Sequence, residues 1–256
     1  MTLENLLNRI ENAPTIDFGE TFNKAIHLYQ KVWLQGLLLV ILSSLSFMGI
    51  YMICIVPMMA SSFVLDGPVN ENSGALSYAI LALLFVLYLV VILAALIASL
   101  GLYAAFFRIT RVKDRNEHQE LGVNFGMFFK KQYLKKLSLF SLSYFGIMML
   151  AYILCFFPIL YVCIPLQFSL IIFAFHPDWS INDIFTAAFK LGNKKWGVAF
   201  ALTLVSAILA YIVGILACFI GIYATVSFIM LPSYIIYKEV VGFSEVEDAI
   251  AQIGNS

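Results

Sequence analysis

The sequence predicts an all-α membrane protein with six transmembrane helices, arranged as three hairpins, each preceded by an interfacial amphipathic helix. Three observations predict it. Of 256 residues, 62% are hydrophobic and 12% are charged, about half the charged share of a soluble domain. Four runs, Trp33 to Leu65, Ala75 to Phe107, Leu137 to Phe175 and Gly197 to Tyr237, contain no Asp, Glu, Lys or Arg. Each exceeds the roughly 20 helical residues that cross a bilayer core about 30 Å thick. All 15 Lys and Arg lie outside these runs, and the net charge is zero. A neutral chain has no general affinity for nucleic acid.

The elements follow in order. "MTLENLLNRIENA" sets Leu3, Leu6, Leu7 and Ile10 on one face and is too polar for the apolar stretch of a signal peptide. It reads as a flanking amphipathic helix over 2–12, and the first crossing as its own insertion signal. Crossings one and two, about 34–62 and 76–107, are separated by the polar turn "DGPVNENSG". The third and fourth runs would each extend about 60 Å as one helix, twice the core thickness, so each must fold back. "CFFPIL" offers Pro158 as one break and "ILACFIGIY" offers Gly221 as the other, because proline removes a backbone donor and glycine loosens a helix. Crossings three to six then cover about 137–157, 159–175, 197–216 and 221–238. "SEVEDAIAQIG" opens with a capping box, Ser244 to Glu247, and reads as a second flanking amphipathic helix over 244–253.

Charge sets the orientation. The cationic residues stand before crossing one, between two and three, between four and five, and after six. The loop between crossings one and two carries only Asp66 and Glu71. The positive-inside rule places both termini in the cytoplasm of a bacterial cell, in its inner membrane.

One phrase recurs. "DFGETFNKAIHLYQKVW" starts at Asp17, "NFGMFFKKQYLKKLSLF" at Asn124 and "SINDIFTAAFKLGNKKW" at Ser180. Each begins with a residue suited to cap a helix, and Glu20 and Asp183 complete a capping box in two of them. Phe22, Phe129 and Phe185 share the sixth place; Trp33, Phe140 and Trp196 close the phrase. These six residues are the expected interfacial anchors. Lys24, His27, Gln30 and Lys31 form the basic face of the first copy, Lys190, Asn193 and Lys194 that of the third. Such a face suits a helix lying at lipid headgroups, with Trp at the same depth. The single polytopic domain, 1–256, thus divides into units of about 17–107, 124–175 and 180–238.

Sites for chemistry are few. Cys54, Cys155, Cys163 and Cys218 lie in apolar runs without metal or redox spacing, and read as small apolar residues. His27, His118 and His176 lack metal-ligand spacing, so no metal or cofactor is expected. Ser43, Ser44, Ser46, Ser141 and Ser143 should bond their own helix or a neighbour. Gln167 differs. It follows Pro165, which leaves the carbonyl of Tyr161 without its helical donor. Pro165 and Gln167 are therefore the candidate ligand-binding residues, with Gln167 turned into the bundle towards Ser or Tyr hydroxyls.

With these residues in view, the chain resembles a family. "FTAAFKLGNKKWGVAFALTL", "FFPILYV" and "IGIYATVSFIMLPSYIIYKEV" resemble bacterial six-helix membrane proteins of unknown function. That family is related to the membrane domain preceding the catalytic barrel of some glycerophosphodiester phosphodiesterases. It often has Pro-Gly at the break where this chain has Pro158-Ile159. A catalytic barrel of that type takes about 250 residues of its own and is not contained here, so the resemblance transfers no catalytic residue. The expected function is that of a non-enzymatic polytopic membrane protein: a scaffold, an accessory subunit or a passage for lipid or small molecules. Its expected partners are membrane lipids, other membrane proteins or a second copy. The alternative is a lipid-modifying enzyme at the cytoplasmic interface, using His118 and Glu120 of the loop "RITRVKDRNEHQE".

Overall fold

The computed structural model describes residues 1–65, 73–115, 124–154, 156–217 and 220–243, and these are helical almost throughout. The order is α1 (Leu3–Glu11), α2 (Phe18–Leu65), α3 (Ser73–Asp114), α4 (Lys131–Ile153), α5 (Phe156–Phe175), α6 (Ile181–Lys194), α7 (Trp196–Leu216), α8 (Ile220–Thr225) and α9 (Leu231–Val240). Short 3₁₀ turns stand at Met127–Phe129 and Val226–Met230. Segments of α2, α3, α4, α5 and α7 are long and apolar enough to cross a membrane. The protein is an all-helical, multi-pass membrane protein.

The three copies of the phrase fold in three ways. Asp17 caps the first, its Oδ1 accepting from the Glu20 N–H at 2.7 Å, and α2 then runs unbroken through Trp33 into the apolar run. In the second, Met127 stands where the capping box needs an acid. Asn124 instead accepts from the N–H of Gly126, a 3₁₀ turn follows, and α4 starts only at Lys131. In the third, Ser180 and Asp183 form the capping box and α6 is a separate helix that stops at Lys195. Gly192 and Asn193, both poor helix formers, precede that stop. No equivalent pair interrupts the first copy.

The expected breaks hold to within a few residues. α4 ends before Leu154, slightly ahead of Pro158, which sits in the first turn of α5 where a missing N–H costs nothing. Gly214 and Gly221 let α7 and α8 touch: a Cβ on Gly214 would lie 2.8 Å from Ile222 Cα. The expected helix over 221–238 is interrupted. Pro232 stands at the start of α9 and cannot donate to the turn before it. Thr225 and Ser227 further divert backbone acceptors, their hydroxyls donating to Gly221 O and Ala224 O. The result is α8, a 3₁₀ turn and α9, with the inner face of α9 wholly buried.

The core collects at the end where the lysines lie. Phe140 stacks on Phe173 at 4.5 Å between ring centres and on Phe185 at 5.5 Å. Phe106, Phe107, Phe128, Tyr234 and Tyr237 are fully buried beside them. α1 closes this end by burying Leu6 and Ile10.

Candidate functional site

Pro165 lies inside α5, which continues through it. Its ring rests on α6 at Gly192, where a Cβ would come within 2.8 Å of Pro165 Cα and Cγ. Glycine is required there for the two helices to meet. The carbonyl of Tyr161, deprived of its helical donor, accepts instead from the indole N–H of Trp196 at 3.1 Å. Tyr161 O–H in turn donates to the side-chain oxygen of Asn193. Trp196, expected as a headgroup anchor, thus supplies the donor that Pro165 removes from α5, with its ring stacked on Phe200 at 4.9 Å.

Gln167 is turned into the bundle. Its Oε1 accepts from Ser233 of α9 at 2.9 Å and from Thr203 of α7 at 3.5 Å. The partners are hydroxyls, though neither belongs to Tyr. One glutamine oxygen therefore ties α5 to both α7 and α9. Ser44 and Ser46 bond their own helix, as the sequence suggested. Ser43 and Ser141 are buried with no hydrogen-bond partner among the described residues, and nothing in the structure explains them.

The other expected anchors diverge. Trp33 is 47% exposed. Phe22 meets Phe228 edge-on at 5.9 Å. Phe129 packs against the bare backbone of Gly101. Phe140 is fully buried, so it has no surface with which to touch headgroups; the 3₁₀ turn and late start of α4 place it inside the core. His118, Glu120, the loop 66–72 and the second flanking helix lie outside the described residues.

The cationic segments converge at one end. Lys24 pairs with Glu239 at 2.8 Å and with Glu20 at 2.6 Å. Lys238 pairs with Asp114 at 2.6 Å, which also accepts from Tyr234 O–H. Lys190 pairs with Glu11 at 2.5 Å, and Lys194 and Lys195 donate to the carbonyls of Glu11 and Pro14. The hydrogen bond and charge of Lys190 lower the pKa of Glu11, with Lys194 adding to the effect. Burial, with Lys194 nearby, lowers that of Lys195. Arg9 donates to Val241 O at 2.6 Å. Arg111 and Arg115 lie over the Phe243 ring. These bonds join the ends of α1, α2, α3, α6 and α9 into one plate.

Within the plate is a groove of about 320 Å³, lined by Lys24, His27, Leu28, Lys31, Asp114, Ile235, Lys238 and Glu239. The sequence marked Lys24, His27 and Lys31 as a basic face but gave no sign that Asp114 and α9 would form the opposite wall. That wall depends on α9 folding back, which no local pattern encodes.

No protein-family model matches the chain, and neither a curated protein nor a solved structure matches it.

Proposed function

We propose that this chain is a non-enzymatic, multi-pass membrane scaffold or accessory subunit, inserted six times as three hairpins with both termini cytoplasmic. The observation that carries the reading is the plate: ion pairs and capped carbonyls lock five helix ends together at the cationic end. Such a surface is built to hold its shape while the apolar crossings face lipid. The positive-inside rule supports a cytoplasmic position for it, in a bacterial inner membrane. α8 and α9 act as the returning crossing, shortened by the 3₁₀ turn. The resemblance to the six-helix family and the three-unit repeat belong to this same proposal.

The test is extraction into nanodiscs with native lipid, followed by native mass spectrometry and by lipid analysis over hours. The expected result is a stoichiometric protein subunit or second copy, with lipid composition constant in time. Time-dependent conversion of a lipid, abolished by His118→Ala or Glu120→Ala, would replace this reading with the enzymatic one.

A further inference from the structure

Beyond a scaffold role, we infer that the groove between α2 and α9 binds the phosphate of an anionic membrane phospholipid, with the acyl chains lying along α2. Two independent observations carry this.

The first is the charge arrangement. Lys24 is committed to Glu20 and Glu239, and Lys238 to Asp114. Lys31 and His27 line the same groove and have no hydrogen-bond or ion-pair partner among the described residues. Both are exposed. The groove's other two ammonium groups are balanced by Asp114 and Glu239 in the same lining, so Lys31 and His27 leave it with surplus donors. A phosphate seated there would accept from Lys31 and His27, while Lys24 and Lys238 remain paired with Glu239 and Asp114 and offset those two carboxylates of the lining. Charge-assisted bonds to phosphate are among the stronger hydrogen bonds, and lysine binds phosphate as a compact point charge.

The second is what continues from the cations. Lys24, His27, Lys31, Leu34, Leu38, Ile41 and Leu45 follow one another at three- and four-residue steps. At 3.6 residues per turn they fall on one stripe of α2 roughly 100° wide. The apolar part of that stripe is open, with Leu34 57%, Leu38 45%, Ile41 39% and Leu45 59% exposed. Headgroup ligands therefore pass directly into an acyl-chain track on the same helical face. A free phosphate would use the cations and leave the track idle; a diacyl phospholipid uses both. The polarity changes between Lys31 and Leu34, where the uncharged run begins, at the depth where a lipid phosphate meets its chains.

The experiment uses the full chain in nanodiscs containing either phosphatidylcholine alone or phosphatidylcholine with one-fifth phosphatidylglycerol. Bound lipid is counted by native mass spectrometry, and inorganic phosphate binding is measured separately in neutral detergent. Wild type should retain phosphatidylglycerol in preference to phosphatidylcholine. Lys31→Gln should weaken that retention about fivefold, the effect of one lysine near an anionic surface, and the Lys31→Gln/His27→Gln pair should weaken it further. Lys135→Gln, an exposed lysine of α4, serves as the control and should change it little. Leu34→Asn with Leu38→Asn should also reduce retention. All variants lie on exposed positions, and unchanged thermal melting confirms that each is folded. Equal retention of the two lipids, or equal effects of the Lys31 and Lys135 substitutions, would overturn the site. Binding of inorganic phosphate at similar strength, untouched by the leucine substitutions, would reassign the groove to a soluble anion and overturn the lipid assignment.

Discussion

At the scale of single residues, the most consequential arrangement is the exchange of donors around Pro165. Proline removes one helical bond, and Trp196, from a helix 31 residues later in sequence, supplies the missing donor to Tyr161 O. An unpaired carbonyl in a place without bulk water is costly, so the indole N–H has a value that its ring alone does not. Trp196→Phe should therefore destabilise the bundle by about 0.5–2 kcal/mol, read from unfolding in mixed micelles, whereas Trp33→Phe should change it far less. In a Pro165→Ala background the Trp196 substitution should cost less, because residue 165 then donates its own N–H to the same carbonyl. Equal costs in both backgrounds would show that the indole bond is incidental. Gly192→Ala sets a Cβ 2.8 Å from the backbone of Pro165. Neither partner can swing aside, so α5 and α6 must separate, at about 1–3 kcal/mol for an overpacked contact. The same melting assay should show it.

At the scale of elements, the five helices long and apolar enough to cross a membrane were legible because an uncharged run longer than a bilayer is a strong signal. The caps at Asp17 and Ser180 were legible because their chemistry is local. The fates of the three phrases were harder to read. The first and third copies bury their shared Ala and Leu at matching places, Ala25 with Ala188 and Leu28 with Leu191, yet Met127 in the second copy, where a capping acid is needed, and Gly192 with Asn193 in the third decide whether the helix fuses, unwinds or ends. Gln167 pointed inward by physical necessity, but Ser233 and Thr203 could not be named as partners before α9 was seen to fold back. The docking of α1 on α6 was not legible, since Glu11 and Lys190 lie far apart in sequence. It also has a pH signature. Lys190 lowers the pKa of Glu11 in the folded protein, so the pair contributes stability above the unfolded value, about 4.3 for a glutamate, and loses it as pH falls through the lowered folded value. Hydrogen exchange in α1 should accelerate over that acid range while α4 and α5 remain protected. Glu11→Gln should exchange faster already at neutral pH and lose the acid dependence. Because the pair is exposed, added salt should blunt the wild-type effect.

At the scale of the whole molecule, charge and packing make one argument. The cationic segments are scattered along the sequence, but the ion pairs from Lys24 to Glu239, Lys238 to Asp114 and Lys190 to Glu11 bring them to a common end. The proposed topology, in which the chain leaves this end and returns to it and α8 with α9 forms the last crossing, accounts for that convergence. α2 alone would extend about 72 Å, well beyond a bilayer of about 45 Å with its headgroups, so its charged first turns stand outside the hydrocarbon or the helix tilts strongly. Topology should follow accordingly. In a cysteine-free background, Ala13→Cys should be labelled by an impermeant thiol reagent only in inverted vesicles, and Ser73→Cys only in intact spheroplasts. Labelling of Ala13→Cys and Ser73→Cys from the same face would mean that an even number of crossings separates them, and would overturn this topology.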